Sequence, residues 1–176
     1  NSLLLQQFCR RFIDEFRGRL QQASGEEFRY LEGISYPGFH IFPSNFSRHA
    51  FHFDLNYEYV TWPEPLMLDF SKQGSLTVAL EIPSVGAGLF SWPDWDRSVL
   101  SPEKAQFYFK NSSLVDGELR PTNPPEETHY QKGHMYSFGP IMHRVWPRNQ
   151  VTPVELRITL QAHSIWHRDG YWILYW

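Results

Sequence analysis

The stretch LTVALEIP, residues 76–83, alternates large aliphatic side chains with smaller or polar ones and ends at a proline. Successive side chains of a β-strand point to opposite faces of a sheet, so this alternation predicts a strand with one buried face. Proline has no backbone N–H group to donate, and the sequence GAG at residues 86–88 follows as a turn signal. The stretch therefore predicts a strand that ends at a tight turn.

Short segments of the same kind, separated by Gly and Pro, run along most of the chain, which is typical of two facing β-sheets in a sandwich or barrel. The polar, proline-containing segment 111–127 shows no strand pattern and is predicted to be a long loop. The expected fold class is mainly β. The further predicted strands are residues 28–31, 38–42, 50–60, 106–110, 135–138, 142–146, 154–165 and 171–176.

One amphipathic helix is predicted before the strands, over about residues 2–22, because apolar residues recur there at every fourth position. Since 176 residues fit a single domain of about 150, we expect one domain over residues 1–176. In this arrangement the helix, within residues 1–25, packs on the outside of a β-core of about 36–176. The apolar positions of the helix are Leu4, Phe8, Phe12, Phe16 and Leu20.

The composition excludes several classes of protein. With 41% hydrophobic and 17% aromatic residues the chain can form a core, so it is not intrinsically disordered. A net charge of −3 argues against a nucleic-acid partner, and no apolar run is long enough for a membrane span. The single cysteine, Cys9, permits neither an internal disulfide nor a cysteine-based zinc site, and it fits a reducing, cytoplasmic location.

Two His-x-Asp pairs stand out among the eight histidines. His52 and Asp54 lie in a predicted strand, where residues i and i+2 point to the same face and can offer two adjacent metal ligands. Asn56 would share that face and approach a ligand bound there, or else form an ordinary cross-strand hydrogen bond. The second pair, His167 and Asp169, leaves too little chain after it for a third ligand.

The residues alone leave the third ligand open among four downstream histidines, but they do predict an anion receptor. Arg157 and Thr159 lie in an alternating segment, 156–162, where a guanidinium and a hydroxyl group on one face suit a carboxylate. We expect Arg157, Thr159 and Gln161 to face the interior and the alternate aliphatic residues of the segment to pack in the core. The four histidines are His129, His134, His143 and His163; the aliphatic residues are Leu156, Ile158, Leu160 and Ala162.

The order His52-x-Asp54, then His143, then Arg157-x-Thr159 resembles the Fe(II)/2-oxoglutarate-dependent oxygenases. The resemblance extends from Phe51 to the C-terminus. It includes the segments HFDLNY (52–57), LTVALEIP (76–83), GAGLFSWP (86–93), GHMYSFGPIMHRVWP (133–147) and RITLQAHSIWHRDGYWILYW (157–176), which are similar to successive strands of that family.

This resemblance implies a double-stranded β-helix, a cupin-like jelly roll, with Fe(II) bound by His52, Asp54 and His143. It implies that 2-oxoglutarate is the co-substrate, that Arg157 and Thr159 bind its far carboxylate, and that Asn56 approaches it. The family more commonly has serine at the position of Thr159, and threonine keeps the hydroxyl group. The implied reaction consumes dioxygen, releases succinate and CO2, and hydroxylates an unactivated C–H bond of a small molecule or carrier-bound metabolite.

Two other functions compete with this interpretation. A cupin-type metal enzyme that does not use 2-oxoglutarate would explain the histidines but not an interior arginine. A noncatalytic jelly-roll module that binds carbohydrate would explain the seven tryptophans but not the metal-ligand pattern. His134 is the main rival to His143 as third ligand, and His40, His49 and His163 would either line the pocket or form hydrogen bonds within the sheets.

Overall fold

The computed structural model describes residues 2–43, 51–54, 56–62, 67–96, 112–115, 118–146 and 155–176. Within these ranges the chain forms one α-helix, α1 (Ser2–Ser24), a short 3-10 helix (Asn56–Tyr59) and eleven strands. The strands are β1 (Phe28–Tyr30), β2 (Gly38–Pro43), β3 (Leu68–Glu81), β4 (Gly88–Asp96), β5 (Ser112–Val115), β6 (Glu118–Pro121), β7 (Glu126–His129), β8 (Met135–Phe138), β9 (Ile141–Val145), β10 (Leu156–His167) and β11 (Tyr171–Tyr175).

The strands form two sheets and a separate hairpin, so the expected mainly-β fold class is confirmed. The larger sheet has the order β1-β11-β10-β3-β8, with β2 paired to β10 as well, and the smaller sheet has the order β7-β4-β9. Strands β5 and β6 form the hairpin. The strand pairs are antiparallel except for the parallel pair of β1 and β11.

Strand β10 organises the larger sheet because it pairs with β2, β3 and β11. Its side chains alternate as the sequence predicts. Arg157 and Thr159 are buried on one face, and Leu160 and Ala162 are buried on the other. Leu156, which was expected in the core, is instead 42% exposed, because it is the first residue of the strand.

The apolar face of β10 packs against the helix. Phe16 and Leu20 of α1 form one buried cluster with Leu160, Ala162 and Leu174 of the larger sheet. The helix therefore covers the outer face of that sheet, as predicted. No helix among the described residues is both long and apolar enough to cross a membrane.

The inner face of the larger sheet meets the smaller sheet. Ala79 of β3 and Leu89 of β4 lie in one buried cluster with Ala87 and Tyr130. Through this contact the two sheets pack face to face. The residues of β10 that point away from the helix therefore point toward the smaller sheet. The sheets thus form two layers, with the helix as a third layer on the outside.

The strand predicted over residues 50–60 is wrong. Among its described residues, His52 makes an isolated bridge and residues 56–59 form the 3-10 helix. The carbonyl group of Tyr57 accepts hydrogen bonds from the backbone N–H of Val60, at 3.4 Å, and from the indole N–H of Trp62, at 3.1 Å. These local bonds take the place of strand pairing.

The long loop predicted over residues 111–127 is also wrong, because it contains β5, β6 and the start of β7. Val115 pairs with Glu118, which leaves two residues between the strands. The sequence between these two strands is Asp-Gly, a dipeptide favoured in two-residue hairpins, and it indicates a hairpin despite the prolines that follow. The strand predicted over residues 106–110 lies outside the described residues.

We expect Phe16→Ala to lower the free energy of unfolding by about 3 kcal/mol or more, because it removes a large buried ring from the cluster between helix and sheet. Phe8→Ala is the matched control on the same helix, since Phe8 is 77% exposed, and it should change stability by less than about 0.5 kcal/mol. Urea denaturation followed by circular dichroism measures both. Equal effects of the two substitutions would contradict the docking of α1.

Candidate metal centre

A backbone pairing brings two of the predicted ligands together. The N–H group of His52 donates to the carbonyl group of His143 at 3.1 Å, and the N–H group of His143 donates to the carbonyl group of His52 at 2.9 Å. Residues that exchange two such bonds lie directly opposite each other and point their side chains to the same face. The ring centroids of the two imidazoles are accordingly 4.3 Å apart.

Asp54 completes a group of three. One oxygen of its carboxylate, Oδ1, is 3.7 Å from Nε2 of His52, and the other, Oδ2, is 3.5 Å from Nε2 of His143. The ligand atoms of the trio all lie within 4.8 Å of one another. Nitrogen and oxygen ligands about 2.1 Å from a common ion, at right angles, lie about 3 Å apart. A small contraction would therefore let the trio hold a divalent ion.

The hydrogen bonding of His143 suits a metal ligand. Its Nδ1 lies 3.0 Å from the carbonyl oxygen of Ile141, which can only accept, so Nδ1 carries the proton and Nε2 keeps its lone pair. Burial lowers the pKa of His143 and outweighs the opposing effect of Asp54. The hydrogen bond at Nδ1 and the burial of the ring both favour the neutral imidazole, which is the form that ligates metals.

Asp54 is held in its charged form. Burial alone would raise the pKa of its carboxyl group, but the surrounding imidazoles and the hydroxyl group of Ser75 together hold the pKa below its ordinary value. The side chains that lower it are, in order, His143, His163, Ser75 and His52. The trio thus combines two imidazoles with a carboxylate.

The trio is closed on one side and open on the other. The side chain of His143 is 4% exposed and that of Asp54 16%, whereas that of His52 is 45% exposed. The ring of Phe138 packs edge-on against His143 at 5.0 Å, and Phe53 packs into an aromatic cluster of the smaller sheet. A ligand can therefore enter beside His52.

Arg157 and Thr159 present a buried receptor for an anion. Three of their buried atoms have no hydrogen-bond partner among the described residues. These atoms are Nε and Nη2 of Arg157 and Oγ1 of Thr159. Burial lowers the pKa of Arg157, because its charged form loses contact with water. Nε and Nη2 share one edge of the guanidinium, which is the edge that binds a carboxylate with two parallel hydrogen bonds. A bound anion would offset the cost of burying this charge.

The rings of Phe42 and Tyr130 fix the plane of the guanidinium. Their centroids are 5.7 Å and 5.3 Å from Cζ of Arg157. Phe42 is the cross-strand neighbour of Arg157 on β2, whereas Tyr130 directly follows β7 of the smaller sheet. Both layers of the fold therefore contribute to the orientation of this edge.

Two histidines that the sequence left open between lining the pocket and bonding within the sheets, His40 and His163, are close enough to Asp54 to feel its charge. His40 is the cross-strand neighbour of Thr159, and its pKa is lowered first by burial and then by the charge of Arg157. His163 is 4% exposed on the inward face of β10. The alternation of β10 could have revealed His163, but the position of His40 depends on a strand pairing that the sequence does not specify.

The remaining predicted residues fall in different places. His134 is exposed in a turn and is not part of the trio, so the structure groups His143 with His52 and Asp54 instead. Asn56 begins the 3-10 helix, so the strand alternation that placed it beside Asp54 does not apply. The side chain of Asn56 and residue His49 lie outside what the structure describes.

We expect His143→Ala to weaken binding of a divalent ion such as Mn²⁺ by more than about 100-fold, since loss of a direct ligand exceeds the 10- to 100-fold effect of losing an outer partner. His134→Ala, the control, should leave the affinity unchanged. Titration followed by the electron paramagnetic resonance signal of free Mn²⁺ measures both. Loss of binding in the His134 variant alone would show that the wrong histidine has been assigned.

Comparison with known proteins places the fold but not the family. No protein-family model matches the chain, and no curated protein matches it. A solved structure of an N-substituted L-amino acid dioxygenase from Burkholderia ambifaria AMMD matches with a TM-score of 0.50 and 17% sequence identity. The match covers 79% of this chain and 51% of that one, so the chain spans about half the length of that enzyme. The two proteins are similar in fold.

Proposed function

We propose that the protein is an Fe(II)- and 2-oxoglutarate-dependent dioxygenase that hydroxylates an unactivated C–H bond and releases succinate and CO2. Its two sheets would be the halves of a double-stranded β-helix. The observation that carries the proposal is the presence of both the His52–Asp54–His143 trio and a buried Arg157 edge without a hydrogen-bond partner in the described part of the chain, with His40 close enough to feel the charges of Arg157 and Asp54.

The donor set favours iron among the common metals. Two imidazoles and one carboxylate on one face of the ion, with the other positions open, are typical of non-haem Fe(II) oxygenases. Bound Fe(II) would supply the redox chemistry needed to activate dioxygen. The protein itself contributes neutral Nε2 atoms, a charged Asp54 and an opening beside His52. The fold shared with a dioxygenase, at 17% identity, supports the same class of reaction.

The co-substrate is inferred from the second half of the site. Arg157 offers two parallel donors and Thr159 adds a hydroxyl group, which together suit one carboxylate group. 2-Oxoglutarate has a second carboxylate beside its keto group, and that end would face the trio. Burial, and then the charge of Arg157, lowers the pKa of the nearby His40 ring, which favours its neutral form. The receptor would therefore orient the co-substrate and keep water from its far end.

The two competing functions each leave half of the site unexplained. A cupin-type metal enzyme without 2-oxoglutarate would use the trio but leave a buried cation at Arg157 without an anion. A carbohydrate-binding module would use neither the trio nor the Arg157 receptor. We further propose a small-molecule or carrier-bound substrate that enters beside His52, with no nucleic acid or membrane as partner.

The test is an anaerobic titration of the protein with Fe(II) and 2-oxoglutarate, followed by the visible charge-transfer absorption of the complex. We expect Arg157→Gln to weaken 2-oxoglutarate binding about 10- to 150-fold, which corresponds to the 1.5–3 kcal/mol of a hydrogen bond to a charged group. Affinity for the metal alone should not change, because Arg157 does not touch the trio.

The control is Arg168→Gln, which removes an exposed arginine just beyond the end of β10 and should leave 2-oxoglutarate binding unchanged. With oxygen admitted, the wild-type protein should form succinate only when both Fe(II) and 2-oxoglutarate are present. Metal binding without any response to 2-oxoglutarate would favour the cupin-type enzyme, and absence of metal binding would favour the carbohydrate-binding module.

A further inference from the structure

We propose that the exposed face of α1 pairs antiparallel with the same face of a second copy of this chain, so that the protein forms a twofold-symmetric dimer through its helix. The inference does not depend on the candidate metal centre or on the use of 2-oxoglutarate. It rests on four residues of the helix: Phe8, Arg11, Glu15 and Gly18.

The four residues form one stripe along the solvent side of the helix. Their spacings are three, four and three residues, an alternation that keeps side chains on one side of a helix and that lines the seam between paired helices. All four are exposed, and they line one open groove on that side. The stripe therefore points away from both sheets and is accessible to a partner.

The two ends of the stripe differ in size. Phe8 carries a large apolar ring that is 77% exposed. Gly18 lies inside the helix, where glycine is less favourable than alanine, yet an added Cβ atom there would meet nothing within 4 Å. No described residue therefore requires the missing side chain, and the ring of Phe8 from a second copy would use the space.

The middle of the stripe carries one charge of each sign. Oε1 of Glu15 is 3.0 Å from Nη2 of Arg19, which leaves Oε2 for another cation. Arg11 forms no ion pair within the part of the chain that the structure describes. The stripe thus presents a cation and an anion side by side, each able to take a partner of the opposite charge.

This pattern is complementary to its own reverse. Arg11 and Glu15 are each two residues from Ile13, and Phe8 and Gly18 are each five residues from it. If two helices run in opposite directions about an axis near Ile13, each Arg11 faces Glu15 and each Phe8 faces Gly18 of the other copy. A parallel pair would set like charges together. The self-complementarity therefore identifies a second copy, in an isologous contact, as the occupant.

A single helix face gives a small interface, which is typical of weak association. We expect a dissociation constant on the order of 100 µM. In the dilute monomer the ring of Phe8 is exposed, so Phe8→Ala leaves the stability of that form unchanged while it weakens the dimer. Association can therefore be measured separately from folding.

The first experiment is sedimentation equilibrium of the full chain at concentrations from about 1 µM to 1 mM. We expect Arg11→Glu and Glu15→Arg each to weaken the dimer about 10-fold or more, because each sets like charges opposite each other at two symmetric positions. Arg168→Glu is the control, since it makes the same change of charge as Arg11→Glu at an exposed position outside the helix. It should dimerise like the wild type.

The second experiment tests the antiparallel register. An equimolar mixture of the Arg11→Glu and Glu15→Arg chains should regain wild-type affinity, because every facing position again joins an acid to a base. Gly18→Gln fills the space for Phe8 but favours the helix. It should therefore weaken the dimer about 10-fold without lowering the urea midpoint of the dilute monomer.

Three results would overturn the proposal. The first is a wild-type chain that stays monomeric up to about 1 mM. The second is a dimer that neither Arg11→Glu nor Gly18→Gln weakens, which would place the contact on another surface. The third is a mixture of the two charge variants that associates no better than either variant alone, which would exclude the antiparallel register.

Discussion

The two backbone hydrogen bonds between His52 and His143 are the constraint on which the site depends. They fix the register of a short segment against β9. Because side chains alternate along an extended chain, a slip of one residue would turn both His52 and Asp54 to the opposite face. Phe53 would then take their place, and the aromatic cluster in which it packs would lose a member. Aromatic packing and ligand geometry therefore specify the same register.

The polar residues between the two sheets are possible because part of the apolar core lies on the other side of the larger sheet, under the helix. On β10, Leu160 and Ala162 pack under the helix, so the other face of the strand is free to carry Arg157, Thr159 and His163. A buried guanidinium edge without a partner among the described residues destabilises the folded protein, and a bound anion would offset that cost. A ligand that binds only the folded state stabilises it. The unpartnered guanidinium edge that lowers the stability of the free protein would therefore favour the anion-bound protein.

The sequence correctly predicted the faces of strands, which local alternation of side chains controls. It did not predict contacts that depend on the pairing of distant segments. The strand around Leu76 and the opposite faces of β10 follow from a period of two, and the spacing of His52 and Asp54 predicts their common face. The choice of His143 over His134 depends on which residue of β9 lies opposite residue 52, a non-local fact that only the family resemblance supplied. The same limit applies to His40, which reaches the site through the pairing of β2 with β10.

The candidate site is divided between the two layers of the fold, so its geometry depends on how the layers pack. His52, Asp54 and His143 are held by the smaller sheet, whereas Ser75, His163 and Arg157 belong to the larger one. The distance between the two sets therefore depends on the spacing between the sheets, which the cluster around Ala79 and Leu89 sets. Interiors are close-packed and deform little, so this spacing is fixed before any ligand arrives. The trio and the anion receptor would then be preorganised by the same contact, and the affinity of each ligand would depend on packing that neither ligand touches.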